Sequence, residues 1–142
     1  MILNLKTIKS MKVKCKTNKA EVAFKGKSLP FGTASDSVYG VDADVIYTVL
    51  GMVIWKKELS YLIYTGDFIE LCPYQLFEVI NPKLSNIWFF KSYALNDGYD
   101  VEAVWGYYEF CFDEEHYENV VSNNREGMDI FFKRKKQIED EE

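Results

Sequence analysis

"LCPYQLFEVI", residues 71–80, breaks one apolar run with a proline and opens a second run four residues later. Pro73 has no amide hydrogen, so it cannot serve a central β ladder. "PYQL" fits a single tight turn of 3-10 helix. "FEVI" then alternates as a short strand with Glu78 outward, and Asn81-Pro82 stop it. One turn placed just before a last strand is the device a small barrel needs to reach its closing edge.

Upstream, "VIYTVLGMVIW" (residues 45–55) reads as one strong strand, apolar on both faces, with Gly51 marking a bulge or kink. "KKEL" is a polar turn, "SYLIYT" (60–65) runs back, Gly66-Asp67 turn again, and "FIELC" (68–72) returns. Together these predict an antiparallel meander. "MKVKCK" (11–16) alternates Met11, Val13 and Cys15 with lysines, the signature of a half-buried strand. Residues 17–44 scatter Gly26, Pro30, Gly32 and Gly40 among small polar residues and read as a long, irregular excursion.

Downstream, "NIWFFKSYAL" (86–95) predicts a strand, "NDG" (96–98) a turn, and "AVWGYYEFCF" (103–112) a further strand with Gly106 inside it. "DEEHYENVV" (113–121) predicts a short helix capped by Asp113, with Glu114 and Glu115 in its first turn. A last helix is expected from Gly127 onward, with Asp129 near its start and Lys133–Lys136 nearer its end. The fold class is therefore mainly β (α+β): a small antiparallel barrel with extra strands and one or two C-terminal helices. At 142 residues the chain is one domain, residues 11–142, with residues 1–10 as an extension.

The net charge of −5 is unevenly spread. Residues 1–30 hold eight lysines against one acid, Glu21, while the rest holds nine Lys/Arg against 21 Asp/Glu. An acidic body argues against nucleic acid as a partner. No segment reaches the ~18 apolar residues of a membrane span, and the lysines interrupting residues 1–12 do not read as a signal peptide. Cys15, Cys72 and Cys111 are odd in number and far apart, with no CxxC, and His116 is the single histidine. They predict buried free thiols, a reducing cytoplasmic setting, and neither a metal site nor a cofactor.

No phosphate-binding glycine loop or EF-hand loop occurs. His116, beside Glu115 on a charged helix, is expected to be solvated, so no catalytic triad is assembled and no enzyme activity is expected. Attention falls instead on an acidic, aromatic stretch. Asp97, Asp100, Glu102, Glu109, Asp113, Glu114, Glu115 and Glu118 lie there without a Lys or Arg between them. Tyr99, Trp105, Tyr107, Tyr108 and Tyr117 interleave. Interfaces favour aromatic anchors inside a charged rim, and here Trp105, Tyr107 and Tyr108 are the anchor candidates.

The single turn at Pro73–Leu76 resembles the proline-started turn before the final strand of SH3 domains. "MKVKC", "YTVLGMVIW", "YLIY", "LFEVI", "IWFF" and "GMDIFFKRKK" together resemble a family of small bacterial proteins that look like immunity proteins of toxin systems. That resemblance implies an SH3-like barrel. It also implies a cytoplasmic protein that binds a cognate toxin with a basic cleft and blocks it, through the acids and aromatics above. The alternative it leaves is an SH3-like protein- or peptide-binding adaptor. Trp55 and Tyr74 are partial counterparts of an SH3 peptide groove, but residues 17–44 lack the expected aromatic and acidic cluster.

Overall fold

A computed structural model describes residues 10–93 and 101–141. Among the described residues eight strands form two antiparallel sheets, and helices cover one face of the larger sheet. The strands are β1 (Lys12–Cys15), β2 (Ile46–Thr48), β3 (Gly51–Trp55), β4 (Glu58–Tyr64), β5 (Ile69–Pro73), β6 (Phe77–Asn81), β7 (Phe89–Ser92) and β8 (Val101–Gly106). The helices are α1 (Ala20–Ala23), α2 (Tyr108–Phe112), α3 (Glu114–Val121) and α4 (Met128–Glu139). One sheet runs β2-β1-β6 and the other β5-β4-β3-β8-β7. The fold is thus α+β with mainly antiparallel sheet. Among the described residues the two sheets do not close into one hydrogen-bonded barrel.

The stretch around Pro73 forms as its residues dictate. Tyr74–Leu76 make the 3-10 turn, and β6 follows, paired with β1 as Cys15↔Phe77 and Lys14↔Glu78. Pro73 itself ends β5, opposite Ser60 on β4. The bond from Thr65 N–H to the Phe68 carbonyl (2.9 Å) sets the ladder's phase, so the backbone groups of Ile69, Leu71 and Pro73 point away from β4. A proline fits there because β5 is an edge strand and the missing N–H would face outward. The same edge is blocked at Ile69 by the side-chain amide of Asn123. Its Oδ1 accepts from Ile69 N–H at 2.6 Å and its Nδ2 donates to the Ile69 carbonyl at 2.9 Å.

Residues 45–55 form two strands rather than one. Ile46–Thr48 belong to the small sheet and Gly51–Trp55 to the large one, with Val49 and Leu50 buried at the crossing. Apolar residues on both faces are consistent with a strand that serves two cores in turn. Met52 packs toward the core between the sheets, with Val13, Cys15, Tyr61, Ile63, Leu76 and Phe77. Val53 packs toward the second core, with Leu62, Val104, Phe110, Val120, Phe131 and Ile138.

The expected strand over residues 103–112 is also corrected: the ladder ends at Gly106, and Tyr108–Phe112 are helical. The cause lies in two facing glycines. Gly51 and Gly106 are register partners, and the Phe110 ring lies on both. A Cβ on Gly106 would lie 2.7 Å from Phe110 Cδ2, and one on Gly51 would lie 3.0 Å from Phe110 Cε2. The chain must fold back at Gly106 to bring Phe110 into that slot. Asp113 then ends α2 and starts α3, where its carboxylate accepts from His116 N–H at 3.1 Å.

Among the described residues the strand expected over 86–95 covers Phe89–Ser92, while residues 94–95 and the turn expected at 96–98 lie outside them. The excursion over 17–44 is mostly irregular but packed: Ala20, Phe24 and Val41 are buried, and Tyr39 N–H bonds Asn18 O at 2.8 Å. Cys15, Cys72 and Cys111 are buried free thiols. Burial pushes all three thiols up, Cys111 to about 11, which holds them protonated and inert. Among the described residues no helix is long and apolar enough to cross a membrane.

The glycine slot makes a quantitative expectation. Gly106→Ala should cost about 1–3 kcal/mol by overpacking, read as a lower urea midpoint with an unchanged slope. Pairing it with Phe110→Leu should cost less than the two single changes added, because the smaller side chain relieves the overlap.

Candidate protein-binding surface

The acids of the sequence-predicted patch lie at different depths, and the structure sorts them. Asp97, Asp100 and Tyr99 lie outside the described residues. Glu102 is half-buried on β8. Glu109 is already paired: Arg134 of α4 donates to both its oxygens, at 2.8 and 2.6 Å. Those bonds hold the Glu109 carboxyl below its usual range, so it acts as a strut between α2 and α4. Asp113, which caps α3, and Glu114, Glu115 and Glu118 on it are exposed.

Two expectations are overturned. Tyr107 is 1% exposed, so it cannot anchor a partner from outside. His116 is 4% exposed rather than solvated. The two meet, with the Tyr107 hydroxyl 2.7 Å from His116 Nε2 and their rings edge-on. A buried phenol and a buried imidazole each need a partner, and each supplies the other's. Burial lowers the His116 pKa, with Asp113 and Glu109 opposing that shift and Arg134 adding to it. Burial likewise pushes the Tyr107 hydroxyl up.

Asp113, Glu114 and Glu118 come together on a trough with aromatic walls. A cavity of about 290 Å³ is lined by Asp113, Glu114 and Glu118 with Tyr93, Phe110 and Tyr117. Val101, Tyr117 and Glu118 are shared with a larger cavity of about 560 Å³. The larger one lies over the β3–β4–β5 face, against Val53, Trp55, Ser60, Leu71 and Pro73, with Glu58 as a further acid. Its opposite lip comes from the excursion, through Pro30, Phe31, Thr33 and Tyr39. The apparent lack of aromatics in residues 17–44 is thereby corrected: in three dimensions Phe31 packs on Trp55 and Tyr39 joins them in lining the cavity.

The lip is held by specific contacts. Phe31 packs edge-on against Trp55 with centroids 5.3 Å apart. The Thr33 and Tyr39 hydroxyls are 2.9 Å apart, and Gly40 N–H donates to Glu70 Oε2 at 2.9 Å. Lys56 places its ammonium 4.3 Å from the Phe31 ring centre and 5.5 Å from that of Trp55. It does so from a two-residue hairpin turn in which Lys56 and Lys57 both have positive φ, 47° and 65°. That conformation usually selects Asn or Gly. This lip therefore already holds a cation against its aromatic faces. Tyr74 is exposed but does not line the trough, whereas Pro73 does.

A second apolar feature escaped the sequence reading. Phe89, Phe90, Tyr108 and Phe112 are 49%, 52%, 54% and 42% exposed. Phe89, Tyr108 and Phe112 form one cluster with centroids 5.2 to 6.1 Å apart. Phe90 lies against half-buried Trp105, 4.9 Å away. The available signal was the doublet Phe89-Phe90. Neighbouring strand residues point to opposite faces, so an aromatic doublet outside a doubly covered strand leaves apolar surface exposed.

The Tyr107–His116 pair carries a pH consequence. The unfolded histidine titrates near the ordinary 6.5 and the folded one lower. Between those values the unfolded chain binds more protons, so stability should fall as pH drops through about 6.5 and then level off. Urea midpoints measured across that window should show this slope in the natural chain and lose it in His116→Gln. Tyr107→Phe should cost about 1 kcal/mol or more by orphaning Nε2.

Comparison with known proteins adds no relative: no family model matches the chain, and neither a curated protein nor a solved structure matches it significantly.

Proposed function

We propose that the chain is an immunity protein that binds a cognate bacterial toxin in the cytoplasm and blocks its active site without catalysis. The observation that carries this reading is the trough. Asp113, Glu114 and Glu118 line an apolar, aromatic-walled groove. A basic cleft of the kind nucleases use for phosphates would be attracted to those carboxylates at long range. Tyr117, Tyr93, Trp55 and Phe31 would supply rigid contact area once it docks. Of the anchors expected from sequence, Tyr108 and half-buried Trp105 keep surface to offer.

The strand arrangement supports an SH3-like reading of the fold. A strand that splits between two sheets, a meander, a one-turn 3-10 helix and a closing strand beside β1 follow in that order. One observation favours the adaptor alternative. Phe31, Tyr39, Trp55 and Pro73 converge on the larger cavity, as a groove for an extended peptide would require.

The test co-expresses the chain with the product of its adjacent reading frame, which this reading expects to be toxic. Co-expression should protect cells, and association should slow steeply with added salt. Glu114→Lys with Glu118→Lys should reduce the association rate on the order of tenfold or more at low salt and flatten its salt dependence. Asp113 stays unaltered in this test because it caps α3. Failure to protect, together with saturable quenching of Trp55 by a proline-rich peptide, would replace this reading with the adaptor.

A further inference from the structure

The two edges of the five-stranded sheet are treated differently. At the β5 edge, Asn123 occupies the backbone of Ile69 and Pro73 offers no N–H. Among the described residues the β7 edge has no such cover. Tyr93 N–H bonds the Glu102 carbonyl at 2.9 Å, which sets the phase of the β7–β8 ladder. Phe89 and Lys91 therefore bond toward β8, while the N–H and C=O of Phe90 and Ser92 point outward. Among the described residues none bonds those outward groups. Exposed aromatics flank this open backbone on both faces, Phe90 on one and Phe89 with Tyr108 and Phe112 on the other.

We propose that β7 pairs antiparallel with β7 of a second copy, joining the two five-stranded sheets across a two-fold axis. The sequence of the strand selects the register. Placing Phe90 opposite Ser92 of the other copy would set Lys91 directly against Lys91, like charge on like charge at roughly 4.5 Å between Cα atoms. Placing Phe90 opposite Phe90 instead sets each Lys91 against a Phe89, a cation beside an aromatic ring. The Phe90 pair then exchanges both its backbone bonds. Each Ser92 N–H reaches a Trp88 carbonyl, the Trp88 N–H being already committed to Ser85 O at 3.2 Å.

One acid near this contact is already paired. Glu109, on the helix that carries Tyr108 and Phe112, is neutralised by Arg134. In the Phe90–Phe90 register a second copy sets Phe89, not a lysine, opposite each Lys91, so the strand is an acceptable partner for itself. The area sets the strength. Four aromatics of ~150–250 Å² each, about half exposed, offer roughly 400 Å² per copy. A standard interface buries ~800 Å² per partner, so the dimer should be weak and concentration-dependent.

Sedimentation equilibrium on the full chain from about 5 µM to 1 mM tests this directly. The weight-average mass should climb from monomer toward dimer. Ser92→Pro removes only an outward N–H, so it should weaken dimerisation at least about tenfold while the thermal midpoint moves little. Phe90→Lys places like charges at the two-fold axis on an exposed position and should do the same, which keeps the test sound if the proline variant misfolds. A monomer at every concentration overturns the proposal. So does a dimer that neither variant weakens, since its contact would then lie elsewhere.

Discussion

The slot that Gly51 and Gly106 leave for the Phe110 ring is the constraint on which the rest of this architecture turns. Gly51 begins the strand segment that leaves the small sheet and enters the large one. Gly106 is where the opposing strand stops. With Phe110 seated between them, α2 is fixed against the sheet and Asp113 is placed to start α3. α3 in turn presents Tyr117 and Glu118 to the trough and buries His116 against Tyr107. Glu109 and Arg134 then tie α2 to α4. A ring in a notch of two missing side chains thus positions every helix that builds the candidate surface.

Local rules were enough for the elements whose signals are local. The proline-started turn at 74–76, the Asp113 cap and the last helix follow from residues within a few positions of each other. What failed needed distant partners. "AVWGYYEFCF" is apolar enough for either a strand or a helix, and only the facing Gly51, far away in sequence, decides where it breaks. "VIYTVLGMVIW" shows apolar residues on both faces because it crosses between two cores, which periodicity alone cannot separate from a central strand.

The candidate surface was legible in its charge and not in its walls. Asp113, Glu114 and Glu118 stand together in sequence and remain together in space. Tyr107 could not be told from Tyr108, although one turn of backbone puts the first inside against His116 and the second outside. Phe31 and Tyr39 were invisible because an irregular excursion carries no periodicity. They reach the cavity beside Trp55 through contacts such as Gly40 to Glu70 that no local pattern encodes.

The amide of Asn123 has a reach beyond the one residue it bonds. A sheet with two open margins is a monomer unit for a fibre, since each copy can accept another on either side. Here the β5 margin is stoppered by Asn123 and by a proline without an N–H, so strand-to-strand growth of the five-stranded sheet has a single direction in which to go. An assembly made through the β7 edge of this sheet would meet its two-fold partner at the first step and be complete: closed by symmetry and finite in size.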